Sequence, residues 1–83
     1  MSGRESDAAD DSPVGRIGTL LLGTRGAGGP GEVQVVIRGG RETYVAYSDH
    51  PISTGESVLV IESAPHRCVT VVAWTDPFAV TMS

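Results

Sequence analysis

Two β-branched runs separated by a glycine pair constrain this chain more than any other feature. Residues 32–38 read EVQVVIR and residues 41–47 read RETYVAY, with Gly39 and Gly40 between them. Valine, isoleucine, threonine and tyrosine fit the pleated, half-buried surface of a strand. Two successive glycines accept the positive φ angles that a two-residue hairpin turn requires at both central positions. With Gly39-Gly40 as the turn, Arg38 stands opposite Arg41, Ile37 opposite Glu42, Val35 opposite Tyr44 and Val33 opposite Ala46. Side chains alternate along a strand, so Val33, Val35, Ile37, Tyr44 and Ala46 share one face, which is expected to be core. Gln34, Val36, Thr43 and Val45 share the other, which is mixed enough to be partly exposed.

The rest of the chain is punctuated in the same way. Residues 14–23 (VGRIGTLLLG) read as a first strand, interrupted by Gly15 and Gly18 and apolar on both faces at Leu20, Leu21 and Leu22. Glycines inside a strand mark bends or a close backbone approach. Residues 24–30 read as a glycine-rich loop, residues 57–61 as the fourth strand and residues 67–74 as the fifth, with Ala64-Pro65-His66 as the turn between them. Residues 48–56 (SDHPISTGE) are too short and too broken by Pro51 and Gly55 to form a helix. Five short strands leave unpaired edges unless the sheet closes on itself. The expected fold is therefore all-β, a five-stranded OB-like closed β-barrel over residues 13–75 with no substantial helix.

Length and charge then exclude several function classes. A chain of 83 residues is one domain with little room for a large active-site cleft. Residues 1–12 set Glu5, Asp7, Asp10 and Asp11 against Arg4 with almost no large apolar side chain, so this segment is expected to be a disordered acidic tail. Residues 76–83 are expected to form a second tail. Between them, Arg16, Arg25, Arg38, Arg41 and Arg67 are matched by Glu32, Glu42, Asp49, Glu56 and Glu62, which leaves the barrel close to neutral. A nucleic-acid binder needs a basic stripe that displaces counterions, and this balance disfavours one. No apolar run approaches the ~20 residues that cross a bilayer, so direct membrane insertion is not expected. The single cysteine, Cys68, has no internal partner, which fits a reducing, cytoplasmic setting.

The tempting chemical motifs lack their context. Gly26-x-Gly28-x-x-Gly31 has the letters of a dinucleotide fingerprint, but that motif presents a helix N-terminus to phosphate, and here a strand follows. Asp49 beside His50, and His66 near Cys68, are isolated rather than four convergent metal ligands. Ser53, Ser57 and Ser63 have no nucleophile elbow around them. No catalytic, metal-binding or cofactor-binding residue is assigned, and the chain reads as a non-enzyme. Single-strand binding by an OB-like barrel would need aromatics beside a positive groove. Tyr44 and Tyr47 point to opposite faces, which leaves only Tyr47, with Arg16, Arg25 or Arg67, as a small platform. Protein recognition is the preferred reading. Its anchors would be surplus apolar side chains such as Val36, Val45, Leu59 and Leu21, with Trp74 and Phe78 near the end, and the charged hairpin tip. The candidate surface is Val36, Val45, Tyr47, Arg38, Arg41 and Trp74.

These positions also carry a family resemblance. Gly15-x-x-Gly18 opening the first strand, Gly31 before the second, the Gly39-Gly40 turn, Tyr44-x-Ala46 and Ile52-x-x-Gly55-x-x-Val58-x-Val60 together resemble the C-terminal soluble domain of NfeD-like proteins. The resemblance spans residues 14–74 and rests on glycines and apolar positions. It implies an OB-like barrel that serves as an interaction module for stomatin- or flotillin-like membrane proteins. It further implies membrane association through that partner. The barrel is expected to be a monomer or a weak homo-oligomer. In the family the domain follows membrane-spanning segments, sometimes with a serine protease domain. These 83 residues include no apolar run of that length, and the loop over 24–30 is richer in glycine than the family's short turn.

Overall fold

The computed structural model describes residues 12–75. The stretches expected as tails lie outside it apart from Ser12, and Phe78 lies outside with them. The elements run β1 (Ile17–Leu22), β2 (Thr24–Arg25), a single 3-10 turn (Gly26–Gly28), β3 (Gly31–Ile37), β4 (Gly40–Tyr47), β5 (Pro51–Ile52), β6 (Ser57–Ala64) and β7 (Cys68–Ala73). Five strands close into a barrel in the order β1-β3-β4-β7-β6, and β2 pairs with β5 in a small side sheet. Within the barrel only β4 and β7 run parallel. That strand order, with the fifth barrel strand between the third and fourth, is the Greek key of an OB-fold.

The β3–β4 hairpin turns one residue earlier than expected. Arg38 and Gly39 are its central residues, with φ of 55° and 80°, and Ile37 pairs with Gly40, Val35 with Glu42 and Val33 with Tyr44. The pairing moves by two residues, the repeat of the pleat, so every side chain keeps the face expected of it. The earlier turn also sets Arg41 against Val36 and relieves the like-charge opposition of Arg38 and Arg41.

The core draws on every barrel strand: Leu20, Val33, Val35, Ile37, Ala46, Val58, Val60, Val69 and Val71 are buried, with Tyr44 and Ile52 packed against them. Two bulges decide which apolar residues are left outside. The β1–β3 register shifts between Leu20 and Leu22, and the β6–β7 register shifts between Val60 and Glu62. A bulge inserts an unpaired residue, which here exposes Leu21 and Ile61 while their neighbours Leu20 and Val60 stay buried.

Two segments expected as plain loops contain the side sheet. Thr24, only 4% exposed, accepts hydrogen bonds from the Ile52 amide (3.0 Å) and the Ser48 hydroxyl (2.6 Å), and its own hydroxyl lies 3.3 Å from the His50 carbonyl. One threonine thus satisfies the polar groups that bring β5 against β2. The entry to β3 is equally tight. A Cβ at Gly31 would stand 2.1 Å from the Leu22 carbonyl oxygen, so only glycine allows the two chain segments to approach this closely. The expected turn at 64–66 also moves: Ala64 is the last residue of β6, opposite Cys68, and the turn is Pro65-His66-Arg67.

Candidate functional site

The outer walls of the barrel differ in chemistry. On β3 and β4 the outward residues are largely polar: Glu32, Gln34, Arg41 and Thr43, with Val36 56% exposed near the hairpin tip. On β1, β6 and β7 exposed aliphatics stand among outward Thr19, Ser57 and Thr70. Ile17 pairs with Leu59, and Leu59 pairs with Val72, so three apolar side chains stand in one row across three strands. Ile17 is 49% and Val72 41% exposed, with Leu59 half-buried between them. Trp74, two residues beyond Val72, stands on the same face in the next row: its amide donates to the Ser57 carbonyl at 3.0 Å, continuing the β6–β7 ladder, and Ser57 pairs with Thr19. The bulged Ile61 adds exposed apolar surface two residues from Leu59.

The residues singled out from sequence do not form one surface. Val36, Arg38 and Arg41 gather at the β3–β4 tip, whereas Tyr47 lies at the far end of β4, about 20 Å away at ~3.3 Å per residue. Trp74 lies toward Tyr47's end, because β7 runs parallel to β4 with Thr70 beside Tyr47. Val45 lies between Glu32 and Cys68 and is half-buried, so it offers less surface than its outward direction suggests. Only Trp74 of the six lies beside the apolar row. Ile17, Ile61 and Val72 were missed. The run Val58-Leu59-Val60-Ile61, apolar at both strand parities, was the signal available for this wall, but which aliphatics stay outside depends on barrel closure and the bulges.

Electrostatics add little chemistry. Arg67 bridges the β6–β7 turn to β4: Nε and Nη2 donate to the Thr43 carbonyl at 3.2 and 2.9 Å, and Nη2 also meets Glu42 Oε1 at 3.0 Å. Its guanidinium lies 4.7 Å from the Tyr44 ring centroid. Arg67 is therefore stacked on Tyr44 rather than placed beside Tyr47, which removes it from the postulated base-stacking platform. The wall formed by the second and third barrel strands, where OB-folds bind oligonucleotides, offers Tyr47 as its one aromatic. His66 and Cys68 lie at the start of β7, while Asp49 and His50 lie beside its end. Among the described residues no three metal-ligating side chains converge. Gly26–Gly28 form a 3-10 turn that leads into β3, without the helix that a phosphate site requires.

The fold is a small closed β-barrel built on an OB-like Greek key. The family model described as the NfeD C-terminal domain matches residues 17–72, and the chain belongs to that family. Among solved structures, it is similar to the soluble domain of the NfeD protein YuaF from Bacillus subtilis. The two share 26% identity, with 88% of this chain and 95% of that one covered and a TM-score of 0.62. The C-terminal domain of the stomatin operon partner protein 1510-C from Pyrococcus horikoshii is 28% identical, with 76% and 89% covered and a TM-score of 0.57. The soluble domain of a membrane protein implicated in regulation of membrane protease activity, from Corynebacterium glutamicum, shares the fold at 24% identity, with 77% and 100% covered and a TM-score of 0.54. No curated protein matches the chain. Among the described residues no helix is long and apolar enough to cross a membrane.

Proposed function

We propose that this barrel is a non-catalytic protein-interaction module that docks through the outer face of β1, β6 and β7, with a stomatin-like membrane protein as its partner. The observation that carries the reading is the register row Ile17–Leu59–Val72, with Trp74 beside it on the same face. A half-exposed aliphatic row with an aromatic beside it has the composition of an interface core, and the barrel interior does not need it, since Leu20, Val58, Val60, Val69 and Val71 already fill that side. The partner class rests on family membership and on the similar protein described as a stomatin operon partner. Under this reading the barrel is held near the membrane by its partner.

The test is binding of a purified stomatin-like protein to the full chain and to Leu59→Glu. Placing a charge in the middle of an interface core should weaken binding at least ~10-fold. Unchanged affinity in a folded variant would remove this face from consideration.

A further inference from the structure

The β4–β7 seam is incomplete, and it opens beside an apolar cleft. The parallel ladder runs from Val45↔Cys68 to Tyr47↔Thr70 and stops there, although β7 continues to Ala73. The chain leaves β4 at Ser48 because Pro51–Ile52 is committed to β2 through Thr24. Beyond Thr70, β7 therefore has β6 on one side and no strand on the other among the described residues.

The phase of the two ladders identifies the backbone groups that face the opening. Trp74 donates to Ser57 on β6. In an antiparallel pair, hydrogen-bonded and non-bonded positions alternate, so Val72 also directs its amide and carbonyl toward β6, while Val71 and Ala73 direct theirs away. On the β4 side, the bond from the Val45 amide to the Arg67 carbonyl sets a phase in which the Val71 amide meets the Tyr47 carbonyl. The Val71 carbonyl and both polar groups of Ala73 remain at the open edge.

The cleft lies where the chains diverge, lined by residues 48–50, Ile52 and residues 71–73, with a volume of about 110 Å³. This is less than the ~150 Å³ of an engineered cavity that takes benzene, and well below the ~300 Å³ at which small-molecule sites begin. It suits one branched aliphatic side chain. Asp49 is the only carboxylate among the lining residues, and it forms no ion pair among the described residues.

We propose that the free edge of β7 at Val71–Ala73 receives an extended segment of a partner protein. The segment pairs its backbone with the Val71 carbonyl and the Ala73 amide, sets one valine-, leucine- or isoleucine-type side chain into the cleft, and places a lysine or arginine beside Asp49. Main-chain bonds supply affinity and the alternate side chain supplies selectivity, as in other cases of strand addition. This deepens the interaction reading and rests on it, because the row and the open edge share Val72.

The test titrates the full chain with the blocked peptide Ac-Lys-Val-Lys-Val-Lys-Val-NH2, followed by amide NMR and hydrogen exchange, with a second peptide carrying serine in place of every valine. The expected result is saturable shifts at residues 48–50 and 71–73 and Ala73 amide exchange slowed at least ~10-fold at saturation, as a new strand bond requires. The serine peptide should bind at least ~10-fold more weakly. Ala73→Pro, which removes the edge amide at a position where an edge tolerates proline, and Asp49→Lys should each weaken binding while the rest of the spectrum is kept. No saturable shift at these residues would overturn the proposal, as would serine and valine peptides binding equally. Shifts confined to Ile17, Leu59 and Trp74 would overturn the edge site while leaving the apolar row as the docking face.

Discussion

The two long hairpins of the barrel obey the same pleat and differ in what they leave outside. In β3 and β4 the inward valines are backed by Glu32, Gln34, Arg41 and Thr43, so outward chemistry mostly follows the alternation that a one-sided sheet requires. In β6 and β7 the inward valines 58, 60, 69 and 71 are backed by Leu59, Ile61 and Val72, with Ser57 and Thr70 outward beside them. The first hairpin exposes Val36 and Tyr47 at opposite ends, with polar residues between them. The second carries apolar surface that folding does not use, and an exposed apolar patch calls for a partner.

The comparison is tested from the inside outward, beginning with the largest expected effect. Leu20→Ala, at a fully buried position that meets Val33 across the wall, should cost about 2–5 kcal/mol in a denaturant titration, a large share of a small domain's stability. Gly31→Ala forces a Cβ into the Leu22 carbonyl and should cost about 1–3 kcal/mol by overpacking, read as a fall in Tm. Thr24→Val keeps the volume but leaves the part-buried Ile52 amide without its acceptor. A loss of about 1–3 kcal/mol is expected, with hydrogen exchange speeding up first at Ile52 rather than in the barrel. Arg67→Ala removes an exposed ion pair and a ring contact, and should cost only about 1 kcal/mol or less in the same titration. Val36→Ser and Val72→Ser, one on each outer wall, should both stay within ~0.5 kcal/mol of the parent. Their stabilities should agree where their effects on binding separate.

Much of the barrel was legible in the sequence, because its strands are apolar runs, mostly rich in β-branched residues, bounded by glycine, proline or polar clusters. The inward face of β3 and β4 was readable even though the turn lies at Arg38-Gly39, since a two-residue slip preserves faces. The side sheet was not legible. Its strands, Thr24–Arg25 and Pro51–Ile52, are too short for any periodicity, and they are held together by the buried hydroxyl of Thr24 contacting residues some 24 to 28 positions away. The candidate surface was only partly legible. Parity marked Leu59 and Val36 as outward, but the lateral order of the strands brings Ile17, Leu59 and Val72 into one row, and that order is a property of closure. Val45 shows the converse: its direction was readable, and its half-burial between β3 and β7 was not.

The most direct test of the central claim compares one charge substitution on each wall. Affinity of a purified stomatin-like protein is measured for the full chain, for Leu59→Glu and for Val36→Glu, with each variant's fold checked by its amide spectrum. The account predicts at least a ~10-fold loss for Leu59→Glu and less than a ~2-fold change for Val36→Glu. A loss at Val36→Glu with Leu59→Glu unaffected would contradict it and return the docking face to the β3–β4 wall.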